Sequence, residues 1–149
     1  MQHILHMVVE DIQATRPEFQ YSSLQLNFNL MSKPHTDHGN IGPSLVISLG
    51  PFSGGLLWSL PTSESILLDA YNSWTDLEGR SPHANLPFAG SRVSIVAYTS
   101  SQILMHDAAT PTAHAVKLGL PIPDLHMAFN TSAARGALNQ WPPGQPKAK

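Results

Sequence analysis

The chain has 149 residues, no cysteine, a formal net charge of −2 and only 12% charged residues. That length fits one domain with a real core. Disulfides, iron–sulfur clusters and thiolate metal sites are excluded, and a broad basic face for nucleic acid is disfavoured.

The chain opens Met1-Gln2-His3 without a basic stretch or an apolar run of the secretory type. No run approaches the roughly 18 apolar residues needed to span a bilayer. With the absence of cysteine, which fits a reducing compartment, an intracellular protein is expected. Ile4 to Gln13 places Ile4, Leu5, Val8, Val9 and Ile12 at helical spacing and ends before Pro17. Leu24 to Leu30 alternates strictly, with Leu24, Leu26, Phe28 and Leu30 against Gln25, Asn27 and Asn29, which predicts a strand. Its polar face carries amides instead of charges. Two readings stand: a solvent-facing sheet surface, or a barrel interior where Gln25, Asn27 or Asn29 hydrogen-bonds a bound acid.

Ser44 to Leu49 reads as a buried strand that stops at Gly50-Pro51. Phe52-Ser53-Gly54-Gly55 reads as a tight turn, Leu56-Leu57-Trp58 as a restarted strand, and Ser65 to Ala70 as another short one. Trp58 is expected in the core more than as a substrate platform. Asn72 to Arg80 is polar and turn-rich. Arg92 to Thr99 is β-rich, and Thr112 to Leu118 predicts a helical turn closing at Gly119. From Asn139 the Pro, Gly, Gln and Lys content predicts a disordered tail at 139–149, leaving residues 1–138 as a single domain.

The chemistry-bearing set is His35-Thr36-Asp37, then His83, then Arg92-Val93-Ser94. Two imidazoles and one carboxylate can occupy one face of an octahedral Fe(II), leaving three positions open. On a strand, His35 and Asp37 point the same way. The third ligand must come from elsewhere in the chain, and His83 is the candidate. Arg92 lies nine positions beyond it, with Ser94 on the same strand face. A fixed guanidinium with a neighbouring hydroxyl suits a small dicarboxylate, which its fork grips bidentately. A plain surface arginine is the alternative, but Arg92 sits in an apolar strand, where a charge without an acid partner is costly. His38 points away from His35 on a regular strand and is read as a surface or supporting histidine. Asn40 either caps a turn or faces substrate, and Ser44 is either near the cofactor or a plain strand serine. His3, His6, His106, His114 and His126 lack a carboxylate at ligand spacing.

This ordered set resembles the Fe(II)/2-oxoglutarate-dependent dioxygenases, whose pattern is His-x-Asp, a distal His, then Arg-x-Ser. The surrounding Asn40-Ile41-Gly42-Pro43-Ser44, Leu49-Gly50-Pro51-Phe52 to Trp58, and Pro87-Phe88-Ala89-Gly90-Ser91-Arg92 resemble the TET/JBP-like branch and its algal and protist relatives. The resemblance implies a mainly β double-stranded β-helix (jelly roll) with a short N-terminal helix. It implies Fe(II) on His35, Asp37 and His83, and 2-oxoglutarate on Arg92 and Ser94 with Asn27 nearby. Asn40 would lie on the substrate side, O2 would be co-reactant, and ascorbate the accompanying reductant. It implies hydroxylation of a C–H bond, with a modified nucleobase among the candidate substrates, although the charge supplies little phosphate-binding surface. The Asp37 carboxylate implies oxidation instead of radical halogenation, and the absence of His-x-His sets the chain apart from the cupin pattern. The rival expectation is an oxygenase-like binding or interaction module that is catalytically silent.

Overall fold

The computed structural model describes residues 2–104 and 120–121. Helix α1 spans Gln2–Thr15, slightly longer than its apolar spacing predicts. Its inner stripe of Val8, Val9 and Ile12 is buried, whereas Ile4 and Met7 stay exposed. The helix closes with the Arg16 amide donating to the Ile12 carbonyl at 2.7 Å. Pro17, which has no N–H to continue the ladder, follows.

Nine strands follow among the described residues: β1 (Ser23–Phe28), β2 (Asn40–Leu49), β3 (Phe52–Gly54), β4 (Leu57–Ser59), β5 (Ile66–Leu68), β6 (Thr75–Leu77), β7 (His83–Asn85), β8 (Phe88–Gly90) and β9 (Val93–Ser100). The protein is therefore mainly β, with one short N-terminal helix. Every strand pairing is antiparallel. The order is β1-β9-β2-β6 in a four-stranded sheet, β5-β4-β7 in a three-stranded sheet, and β3-β8 as a separate pair.

The four-stranded sheet is a middle layer, and side-chain alternation gives each of its faces a different core. Leu45, Ile47, Ile95 and Ala97 face the helix and pack with Val8, Ile12, Tyr21 and Trp74. Val46 and Val96 face the other way and pack with Leu57, Leu68, Ala70 and Leu77. Burial on both faces explains why β2 reads as a continuous apolar run in place of an alternating one. Ile12 and Leu45 are fully buried, and each such side chain contributes roughly 1.5–3 kcal/mol over its exposed state.

Several elements differ from the sequence-based expectation. Strand β1 ends at Phe28 because Asn29 adopts φ +48, a left-handed conformation that Asn tolerates better than most residues. Of the two orientations open for β1, the structure has Leu26 and Phe28 exposed and Gln25 and Asn27 lining the cavity described below. Residues 72–80 contain β6, with Trp74 and Leu77 buried. Phe52–Gly54 is a strand paired with β8, not a tight turn. That pairing needs Gly90, whose φ is +108 and where a Cβ would run into the Pro51 carbonyl. Trp58 is half-buried and lies in neither core cluster. Trp74 is the core tryptophan, its Nε1 donating to Asp11 Oδ2 at 2.7 Å. The helical turn expected at Thr112 to Leu118 and the tail at 139–149 lie outside the described residues. Among the described residues no helix is long and apolar enough to cross a membrane.

Candidate metal centre

His35 and His83 face one another as an isolated antiparallel bridge. The His35 amide donates to the His83 carbonyl at 3.0 Å, and the His83 amide returns a bond to His35 at 2.9 Å. Directly opposed residues in such a pair project to the same face, so the two rings lie with centroids 4.3 Å apart. Asp37 follows two residues later, its own amide anchored on the Gly79 carbonyl at 2.7 Å. Asp37 Oδ1 lies 3.6 Å from His35 Nε2, and Oδ2 lies 3.6 Å from His83 Nε2. The potential ligand atoms of the three residues all fall within 4.8 Å of one another, a group that could hold a metal ion and is compatible with Fe(II).

The backbone also selects the tautomer of each histidine. His35 Nδ1 sits 2.8 Å from the Lys33 carbonyl and His83 Nδ1 sits 2.9 Å from the Ser81 carbonyl. A carbonyl only accepts, so each Nδ1 is the donor and each Nε2 keeps its lone pair for a cation. The centre is lopsided: the His83 side chain is 7% exposed, whereas Asp37 and His35 are 34% and 43% exposed. The group is thus more open to solvent on the side of His35 and Asp37 than on that of His83. His38 stays outside the group, its Nε2 bonded to Thr36 Oγ1 at 2.7 Å.

Arg92 stands one residue before β9 and is 1% exposed. Its Nη2 donates to Ser48 Oγ at 2.8 Å, while Nε and Nη1 are buried with no hydrogen-bond partner among the described residues. Its Cζ lies 5.7 Å from the Phe52 ring centroid and 5.4 Å from that of Phe88, which the β3–β8 pair delivers. Burial pushes the guanidinium pKa below its ordinary value. No acidic side chain pairs with it among the described residues. Two orphaned donors on a buried cation fit the fork that a carboxylate would occupy.

Both groups line one cavity of about 320 Å³, together with Asn27, Ser94 and Asn40. Asn27 and Ser94 are direct cross-strand partners, with Asn27 Nδ2 3.5 Å from Ser94 Oγ, and Gln25 Nε2 donates to Asn27 Oδ1 at 2.8 Å. The amide face of β1 is thus turned inward. Asn40, on the cavity wall, donates from Nδ2 to Asp37 Oδ2 at 3.3 Å and to Ser44 Oγ at 3.4 Å.

Sequence reasoning missed Ser48, Phe52 and Phe88. Ser48 had a signal: it shares a strand face with Ser44 in an otherwise apolar buried run. Asn29, read either as part of a solvent-facing surface or as a possible acid contact, holds the backbone of Arg92. Its Oδ1 accepts from the Arg92 amide at 2.8 Å, and its own amide donates to the Arg92 carbonyl at 2.8 Å. Asn29→Ala should therefore destabilise the fold by about 1–2 kcal/mol, from the positive φ and the lost acceptor. The check is a lower urea midpoint at an unchanged slope.

Neither the protein-family models nor the curated proteins compared with the chain include a match.

Proposed function

We propose that this protein is an Fe(II)- and 2-oxoglutarate-dependent oxygenase that hydroxylates a C–H bond, on a double-stranded β-helix. The observation that carries the reading is the presence in one cavity of a His35–Asp37–His83 cluster and a buried Arg92 that pairs with no acid among the described residues. Strand order supports it. The chain passes from β1 to the His35 segment, back to β2, across to β4 and β5, back to β6, across to β7 and back to β9. That alternation between two sheets is what a jelly-roll winding requires.

The residues fit the cofactors. His35, Asp37 and His83 would hold the metal, with their proton positions already set by the Lys33 and Ser81 carbonyls. Arg92 would take the distal carboxylate of the cosubstrate, with Ser94 and Asn27 beside it. When bound, Fe(II) and 2-oxoglutarate supply the oxidising chemistry, one atom of O2 entering the substrate as hydroxyl and the other leaving in succinate, with CO2 released. Val46, Leu57, Leu77 and Val96 line the same cavity and keep its middle apolar, which limits water around the bound acid. Phe52 and Phe88 hold the guanidinium without consuming its donors.

A modified nucleobase is the substrate class suggested by the TET/JBP-like resemblance. A duplex substrate would need base extrusion and phosphate contacts, for which a chain of net charge −2 is poorly furnished. The test is incubation with Fe(II), ascorbate and 2-oxoglutarate, followed by a screen of nucleic-acid, peptide and metabolite pools. Succinate formation that requires both Fe(II) and O2 is expected. Absence of succinate across all pools, with metal bound, would replace the enzyme with a silent binding module.

A further inference from the structure

Asn40 lines the cavity, and its side-chain amide makes two hydrogen bonds within the protein. Both Nδ2 hydrogens are engaged inside the protein, one on Asp37 Oδ2 at 3.3 Å and one on Ser44 Oγ at 3.4 Å. The assignment of nitrogen to that end of the amide follows from its neighbour, because an ionised carboxylate only accepts. Ser44 is fully buried and ties the amide to β2, which pairs with both β9 and β6. A backbone bond from the Asn40 amide to the Asp37 carbonyl at 3.0 Å closes the loop. On the far side lies Gly79. Its carbonyl takes the Asp37 amide at 2.7 Å. A Cβ on it would stand 3.2 Å from Asp37 Oδ2, 3.2 Å from Asn40 Nδ2 and 3.4 Å from Ser44 Oγ. A side chain at position 79 would thus press on all three members of the arrangement.

We infer that Asn40 is a positioning residue for the metal centre, fixing the Asp37 carboxylate through its side-chain amide in a space that Gly79 keeps open. The inference rests on reading His35, Asp37 and His83 as metal ligands. Its chemical consequence is the number of ligand positions. A hydrogen bond on Oδ2 engages that oxygen and leaves Oδ1 freer for the cation. Two imidazoles and one carboxylate oxygen occupy three positions of six, the count that leaves room for a chelating keto acid and O2 together. A carboxylate bound through both oxygens would remove one of them. Hydrogen bonds of this supporting kind orient ligands and tune metal affinity.

The experiment is a calorimetric titration of Mn(II) alone into wild type, Asn40→Ala, Gly79→Ala and the double variant, with urea unfolding of each metal-free protein. Asn40→Ala should weaken Mn(II) binding by roughly 10–100-fold, the usual cost of losing such a support, while the metal-free unfolding midpoint stays near wild type. Gly79→Ala should weaken binding in the same direction with Asn40 intact. The double variant should be little worse than the more severe single one, because both act on one carboxylate. A Mn(II) electron paramagnetic resonance spectrum altered in Asn40→Ala adds a signature that a purely structural role would not move. Unchanged Mn(II) affinity in either folded single variant overturns the positioning role and leaves the metal site standing. Failure of the wild type to bind Mn(II) overturns the metal site itself. If Asn40→Ala does not fold, Gly79→Ala decides the matter in the same way.

Discussion

Asp37→Ala should abolish metal-dependent turnover and leave the metal-free fold intact. Among the described residues the group that could hold a metal offers one carboxylate and two imidazoles. Removing the carboxylate takes away the charge that offsets a dication and one of the three donors. Losing a mere supporting hydrogen bond costs up to about 100-fold in metal affinity, so loss of a ligand should exceed that. The fold should survive because the side chain is a third exposed and, among the described residues, its one hydrogen bond is from Asn40, with His35 and His83 no nearer than 3.6 Å. The backbone bond from Asp37 to Gly79 does not depend on the side chain. The checks are metal titration, succinate formation and urea unfolding. A variant with wild-type turnover would show that iron, if used at all, binds elsewhere.

Arg92→Gln should lose 2-oxoglutarate while keeping the metal. Arg92 is not a member of the metal group, and its hydrogen-bonded partner is Ser48, not a ligand. Losing a charge-assisted contact to the distal carboxylate should cost about 1.5–3 kcal/mol, roughly tenfold to more than a hundredfold in cosubstrate affinity. Arg92→Lys should recover little, since a point charge does not reproduce the planar fork. Arg92→Met separates ligand binding from architecture. The guanidinium is buried without an acid, and burial lowers its pKa, so the charged form is penalised in the folded state. Replacing it with an apolar side chain should leave metal-free stability unchanged or raised, while 2-oxoglutarate no longer raises the melting temperature. Equal binding of 2-oxoglutarate by wild type and Arg92→Gln would reduce Arg92 to an architectural residue.

The convergence of His35, Asp37 and His83 was legible because the residue types and their order are specific even where the intervening fold is not. The helix was legible from Val8 and Ile12, and the central strands from continuous or alternating apolar runs. The short strands were not. β6, with the sequence Thr-Asp-Leu, has one apolar residue in three, and its existence depends on pairing with β2 instead of on local preference. For β1 the alternation was legible and the choice of inner face was left open. Leu26 and Phe28 are exposed while Gln25 and Asn27 line the cavity, so composition alone does not decide the inside–outside choice. Phe52 became visible only once the fold brought it to Arg92, forty positions away, and Phe88, four positions before Arg92, only once the β3–β8 pair aimed its ring at the guanidinium; Ser48 had no more than the strand face it shares with Ser44 to mark it.

The reciprocal bridge between His35 and His83 makes the spacing of the two nitrogen donors a matter of strand register. A slip of one residue would turn one ring to the opposite face and dismantle the pair in a single step. If the proposed centre takes a metal, its affinity would therefore gauge whether the outermost pairing of the β5-β4-β7 sheet has closed correctly. The conformational cost of bringing the imidazoles together is met during folding, not on ion capture, so a cation should enter a site already assembled and rigidify the sheet edge that holds it.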